Sequence, residues 1–377
     1  VMRIAYLCVD PGVPVFGTKG SSVHVQEIVR SFLARGDEVT IYCTRRGEHV
    51  PADLASVRVV EVRVGKGDPA ERERNIAAAS RELAARIVAD GCDLVYERFS
   101  LFSRGGATAA ATTGATFILE GNAPLIEEQR EHRVLVDEVE ALAAAHDALA
   151  TADVVACVSA PVAEWATAHG APRAMVSPNG VNTDRIRPSA PSPDGPLRVG
   201  FVGTLKPWHG VEVVIDAVAS LGERATLTLI GDGPEGPALR QRAADRGIEV
   251  EWAGAVLPEH IPALVAGLDV GVAPYPAGAG YFSPLKVYEY LAAGLPVVAS
   301  AVGQVPDILD DGVTGLLVEP GSATALADAL ARLADDPALR LRMGAAARAD
   351  AVARHDWNRV LARILEAADA ARREVYA

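Results

Sequence analysis

Short, nearly continuous apolar runs recur along the chain, separated by longer stretches with helical spacing. Residues 3–9 and 38–43 are such runs, the pattern of strands buried on both faces, with a helix predicted between them over about 22–35. Further strands are predicted at 57–62, 94–96, 116–120, 154–158 and 174–176, with helical segments between most of them. This alternation predicts an open parallel sheet with helices on both faces. The rhythm stops at 188–196, PSAPSPDGP, where four prolines in nine residues preclude a core element and predict a linker. It then restarts, with strands at 197–203, 225–231, 250–254, 270–274, 296–299 and 315–318, a helix at 211–221, and alanine-rich helices at 323–333, 337–354 and 357–375. The second half repeats the architecture of the first. Its loops at 203–210, 231–236 and 254–258 carry glycines after strands, and parallel strands place all such loops on one sheet edge.

The stretch SPLKVYEYLAAGLPVVAS, residues 283–300, has the sharpest boundaries. Ser283 suits the N-cap, Pro284 the first helical position, and Gly294 and Pro296 end the segment, which predicts a helix of about three turns. Leu285, Tyr288, Leu291 and Ala292 are spaced to bury one face. Lys286 then falls in the first turn, where the helix dipole disfavours a cation. An anion docked on the amides of 283–286 would reverse that sign, and Glu289 could accept hydrogen bonds from sugar hydroxyls. The alternative is a solvated i,i+3 pair without a ligand.

In the first half, Gly12, Gly17 and Gly20 punctuate a loop that could offer amides to a phosphate or polar substrate, without the GxGxxG spacing of a dinucleotide site. Glu120, Gly121, Asn122 and Ser159 close predicted strands. The stretch 122–132 adds Glu127, Glu128, Arg130 and His132, either to a ligand-binding rim or to a polar helix start.

Composition narrows the classes. With 377 residues the chain is comfortable for two domains. The 36 Lys and Arg against 49 Asp and Glu give a net charge of -13, and both halves are acidic, 20 basic against 25 acidic up to residue 190 and 16 against 24 beyond it. That balance argues against a nucleic-acid footprint and limits membrane contact to the periphery. No apolar run approaches the roughly 20 residues of a membrane span. Cys8, Cys43, Cys92 and Cys157 are far apart in mostly apolar surroundings, lack metal-ligand spacing, and read as reduced core residues. The N-terminus runs straight into a strand, and the expected location is cytoplasmic.

The stretches SSVHV, SAPVAEWATAHG, SPNGVN, FVGTLKPWHGVE, LIGDGPE and SPLKVYEYLAAGLPVVASAVGQVPDILDDGVTGLLVEPG, in that order, resemble the retaining glycosyltransferases of family 4, over nearly the whole chain. The resemblance implies an α/β GT-B fold of two Rossmann-like domains facing across a cleft. Residues 1–188 would form the acceptor domain, 196–355 the nucleotide-sugar domain, and 356–377 would include a helix crossing back to the first. It also implies donor contacts at Gly20, Gly203, Thr204, Gly231, Asp232, Gly233, Val256, Tyr281, Ser283, Pro284, Leu285 and Glu289. Acceptor contacts would fall at His24, Asn122, Glu127 and Glu128. This sequence departs from the family at three places: Tyr281 replaces a glutamate, Thr204 and His209 replace the diphosphate-clamping Arg and Lys, and Asn122 replaces a histidine at an acceptor-side strand end. Lys206 is the candidate to supply the missing charge, with His209 donating a second hydrogen bond. A surface loop without catalytic duty is the alternative for both.

The implied reaction moves a sugar from a nucleoside-diphosphate donor, a UDP-sugar first, to a hydroxyl of a small-molecule or glycan acceptor. Lys286, Lys206 and His209 would stabilise the leaving diphosphate, with no metal and no separate cofactor. A nucleotide-sugar epimerase, a phosphorolytic enzyme and a non-catalytic nucleotide-sugar-binding module share the architecture and stay open.

Overall fold

Two parallel sheets are formed by the apolar runs. The first contains β1 (Arg3–Cys8), β2 (Glu38–Cys43), β3 (Arg58–Glu61), β4 (Leu94–Arg98), β5 (Thr116–Gly121), β6 (Val154–Cys157) and β7 (Ala174–Val176). The second contains β8 (Leu197–Val202), β9 (Ala225–Ile230), β10 (Val250–Gly254), β11 (Val270–Ala273), β12 (Val297–Ser300) and β13 (Gly315–Val318). The computed structural model from which they are drawn describes residues 1–189, 195–278, 280 and 282–375. Part of the proline-rich stretch, 190–194, lies outside the described residues, and so does Tyr281. No helix among the described residues is long and apolar enough to cross a membrane.

The chain divides into two units, one of Val1–Pro178 with Trp357–Ala377, the other of Asn179–Asp356. Within the first the strand order is β3-β2-β1-β4-β5-β6-β7, and within the second β10-β9-β8-β11-β12-β13. Every strand pairing is parallel. Both orders reverse direction beside the first strand of the unit, between β1 and β4 and between β8 and β11. Such reversals open a crevice at the carboxyl ends of the strands, as expected of the Rossmann-like α/β fold.

The second sheet is buried on both faces. Val199, Phe201, Val272 and Val298 turn to one side and pack with Val214, Ile215, Leu239, Leu326 and Leu330 of covering helices. Val202, Ala273, Val297 and Ala299 turn to the other, against Tyr288, Leu291, Val305 and Ala347. Gly271 is required in β11, since a Cβ there would overlap the Tyr290 ring. In the first unit, the helix Trp357–Val375 buries Trp357, Val360, Leu361, Ile364, Leu365, Ala368 and Ala371, a continuous stripe with helical period, in part against the helix Gly20–Ala34.

Residues 179–187 are anchored in the second unit by hydrogen bonds. Val181 N donates to His355 O at 2.8 Å, and Thr183 Oγ1 to Asp356 Oδ2 at 2.6 Å. Arg348 donates to three backbone carbonyls, those of Ile186, Ala292 and Thr183, at 2.8–2.9 Å. The two terminal nitrogens of its planar guanidinium serve all three acceptors at once. Arg348→Ala is expected to lower the stability of this unit by about 2–4 kcal/mol, because bonds from a charged donor are worth about 1.5–3 kcal/mol each and part is recovered from water. Urea denaturation reads the loss, and an unchanged midpoint would contradict it.

Candidate functional site

At the carboxyl end of the second sheet, backbone packs on backbone in a way only glycine permits. Gly203 and Gly231 have φ of +145° and +141°, and a Cβ on Gly231 would overlap the carbonyl oxygen of Gly203. Leu205 N donates to Asp232 O at 3.0 Å, and Glu235 N to Leu205 O at 3.2 Å, which nests the loop after β8 in the loop after β9. A Cβ on Gly233 would strike Leu205 O. Gly210 does the same for the loop after β11, where a Cβ would strike Pro274 O. The three loops form one rigid seat.

The helix at this seat is Leu285–Ala292, with Pro284 at its N-cap. It is shorter than the three turns expected, and Ser283 is not its cap. Ser283 Oγ instead accepts from Asn179 N at 3.0 Å and lies 3.1 Å from the Tyr288 hydroxyl, while Ser283 O accepts from Asn179 Nδ2 at 3.0 Å. Asn179, of the SPNGVN stretch, thus fixes the entry to the helix from outside it. Gly294 takes φ +70° after the last turn, as predicted. The helix is buried nearly all round: Leu285 is only half-buried, whereas Lys286, Val287 and Tyr290 join Tyr288, Leu291 and Ala292 inside.

Lys286 is therefore not a solvated surface charge. Its side chain is 7% exposed, and Nζ has no hydrogen-bond partner among the described residues. Nζ lies 4.3 Å above the Phe201 ring and 4.9 Å above the Tyr275 ring. A Cβ on Gly203 would come within 3.2 Å of it, so the glycine leaves its flank open. Burial pushes the ammonium down to about 7, against a smaller upward pull from Glu289. Glu289 itself is half-buried one turn further on.

His209 lies close by, its ring 5.7 Å from Phe201 and 6.0 Å from Tyr275. Its Nδ1–H is given to Thr204 O at 2.5 Å, and burial together with the Lys286 charge pushes the imidazole down to about 4. In this state its second nitrogen accepts rather than donates, so the expected donated bond requires a further proton on that nitrogen. Lys206 holds Nζ 5.2 Å over the exposed Trp208 ring. Thr204 is exposed, as is Asp232, whose Oδ1 accepts from Gly233 N at 2.7 Å. Val256 is partly buried against the core beside the helix, with Phe282. Among the described residues no three His, Cys, Asp or Glu side chains converge as metal ligands. A cavity of about 630 Å³ beside Asp307, Asp310, Asp350 and Arg354 contains none of the predicted site residues.

In the first unit the carboxyl ends of β4 and β5 carry a second polar cluster, built on Glu120. Its Oε2 lies 2.8 Å from His24 Nε2 and accepts from the Tyr96 hydroxyl at 2.8 Å. Its Oε1 accepts from Arg98 Nη1 at 3.0 Å and from Asn122 Nδ2 at 2.5 Å. Burial alone would raise this carboxyl, but His24, Arg98 and Asn122 outweigh it and hold it at about 2. His24 and Asn122 are thus brought together through Glu120, which the sequence pattern marks only as a strand end, and they are joined by Tyr96 and Arg98, which no local pattern marks. Glu127 is held elsewhere, accepting from Trp165 Nε1 at 2.8 Å. Glu128 is half-buried on the same helix, Leu125–His132, and Gly20 is the exposed first residue of the helix Gly20–Ala34.

Comparison with known proteins agrees with this architecture. Residues 196–336 match the domain described as Glycosyl transferases group 1, and residues 18–185 the domain described as Glycosyltransferase Family 4. The phosphatidyl-myo-inositol mannosyltransferase of Mycobacterium leprae is 36% identical over 200 residues, 51% of this chain and 52% of the relative. The chain spans about half the length of the first curated relatives it matches. A D-inositol 3-phosphate glycosyltransferase of Actinosynnema mirum aligns more widely, 28% identical over 95% of this chain and 94% of that one. Among solved structures, Anabaena Alr3699/HepE in complex with UDP-glucose has a TM-score of 0.74 at 21% identity, over 98% of this chain and 100% of that one, a likeness of fold.

Two expected outcomes test the geometry. Because the folded state lowers the Lys286 value, the unfolded chain holds more protons between about pH 7 and the ordinary lysine value, and stability rises with pH across that window. Lys286→Met is expected to be more stable than the parent at pH 7 by roughly 3–5 kcal/mol, since each pH unit across that window is worth about 1.4 kcal/mol, with the gap closing towards pH 10; denaturant melts at both pH values decide it. Glu120 has the opposite sign: its contribution is present above the ordinary value and fades as pH falls towards about 2. Glu120→Gln leaves Arg98 buried without its counter-charge and is expected to cost about 3–5 kcal/mol at pH 7 in the same assay.

Proposed function

The chain belongs to the glycosyltransferases of group 1 and family 4, and from that premise we propose that it moves a sugar from a nucleoside-diphosphate donor to an acceptor hydroxyl, with retention of configuration and without a metal. The observation that carries the reading is Lys286, a buried ammonium with no hydrogen-bond partner among the described residues, at the start of a helix and on the open flank of Gly203. Carrying a charge into that position is costly, and an anion that arrives later offsets the cost.

A diphosphate is the anion the surroundings suit. Helix amides at Leu285 and Lys286 precede any intrahelical acceptor and point along the positive end of the dipole. Gly203, whose flank faces Lys286, would let a phosphate oxygen approach backbone, and Glu289 one turn along the helix would accept from the ribose hydroxyls. As the bond from anomeric carbon to phosphate oxygen lengthens, positive charge grows on the sugar and negative charge on the diphosphate. Lys286 and the amides stabilise the latter in a site already shielded from water. The acceptor hydroxyl adds on the face the phosphate leaves, and its proton passes to the departing phosphate oxygen.

In the first unit, the cluster of His24, Glu120, Arg98 and Asn122 is the candidate acceptor locus. A polyhydroxylated small molecule is the acceptor class we favour, and the inositol-based names of the relatives support it. A UDP-sugar is the first donor to try, supported by the UDP-glucose complex of the structural neighbour.

The test is a thermal-shift screen against UDP-, GDP-, ADP- and dTDP-sugars, in which the true donor raises the midpoint by mass action. Turnover of that donor with Lys286→Ala is expected to fall about 10²–10³-fold, the usual loss for one group stabilising a developing anion. Parental turnover in a folded Lys286→Ala protein would refute the role. Release of nucleoside diphosphate only when acceptor is present separates transfer from epimerisation or simple binding.

A further inference from the structure

Beside Lys286, the loop between β8 and the helix Val211–Leu221 holds a second basic group whose proton is already committed. His209 gives Nδ1–H to the backbone carbonyl of Thr204, which can only accept. A neutral His209 therefore carries its single proton on Nδ1, and Nε2 presents a bare lone pair that no described residue engages. The same two rings, Phe201 and Tyr275, lie under Lys286 Nζ and beside the imidazole, so both bases stand on one aromatic floor.

The groups facing this pair are few. Among the described residues, Glu289, on the helix of Lys286, is the one carboxylate whose field reaches the ammonium, and Nζ makes no hydrogen bond to it. Lys286 is the one charge among them acting on His209, and it keeps the imidazole deprotonated, with burial as the larger cause. The Tyr275 phenol, from the loop after β11, is held well above its ordinary range and stays neutral. Lys206 and Trp208, on the imidazole's own loop, face each other.

Phosphate oxygens at neutral pH accept hydrogen bonds and donate none, so they meet a bare Nε2 as lone pair against lone pair. Once a diphosphate offsets the Lys286 charge, a proton on Nε2 turns that repulsion into a charge-assisted bond. On the donor reading above, we propose that His209 is a phosphate ligand that joins the site by taking up a proton, so that docking of a nucleoside diphosphate consumes a solvent proton and tightens as pH falls. The proton goes to Nε2, Nδ1–H stays with Thr204, and no covalent bond changes.

The test is calorimetric titration of the protein with UDP and with GDP between pH 7 and 9, above the range where the terminal phosphate itself titrates, about pH 6. Buffers of different ionisation enthalpy report the protons taken up. The parent is expected to take up protons from both bases and to bind up to about tenfold more tightly per proton for each pH unit lowered. His209→Gln, whose amide donates without acquiring a proton, is expected to bind with uptake reduced to the Lys286 share and with a shallower pH dependence. His209→Asn keeps a donor for Thr204 but leaves the Nε2 position empty, and is expected to lose the same share of uptake together with affinity. Thermal melts establish that each variant is folded. Parental uptake in both variants, or binding to the parent with no uptake, overturns the proposal and leaves the donor site standing. Failure of UDP and GDP to bind at any pH removes both.

Discussion

A positive charge enclosed by aromatic rings, with no hydrogen-bonding anion among the described residues to meet it, is the constraint around which the second unit is arranged. Lys286 could be relieved by turning outward, yet the helix that carries it is packed on nearly every side. Tyr290 fixes its rotation, its hydroxyl accepting from Val202 N at 2.7 Å while its ring occupies the space left by Gly271. Asn179 fixes the entry through Ser283, and Arg348 fixes the exit through the Ala292 carbonyl. The strain of the buried charge is thus held by ordinary packing and hydrogen bonds on all sides, which is how a folded protein keeps a site ready before its ligand arrives.

The two sheets were legible because parallel strands are apolar along their whole length and glycine marks where they end. β2, β7, β10 and β13 fall on the predicted spans, and most other strands within a residue or two. The helix at 285 shows where such reading fails. Ser283 has the chemistry of an N-cap, but Asn179, 104 positions earlier, supplies a better partner for its hydroxyl, and no local pattern announces that. Likewise Lys286 and Glu289 have the spacing of a solvated pair, and only tertiary packing determines that the lysine goes inside. The tautomer of His209 turns on a hydrogen bond to Thr204 that composition does not specify.

The first unit uses the opposite device. Glu120 is as buried as Lys286 but has four donors, so its charge is satisfied in place. A saturated carboxylate of this kind orients His24 and Asn122 without needing a ligand. Sequence patterning reveals the strand that ends in Glu120 but not the donors, because they come from β4, from the strand's own successor residues and from a helix nearly a hundred positions away.

The helix Trp357–Val375 belongs to a unit whose other residues end at Pro178. On the ribosome, that unit must wait for the whole of residues 179–356 before its last layer exists. Until then the side of the helix Gly20–Ala34 that Trp357 later covers is bare to solvent and to chaperones. Completion of the early-made half is deferred until residues 357–375 have been made, so a nascent chain cut short after the second unit leaves the first one open.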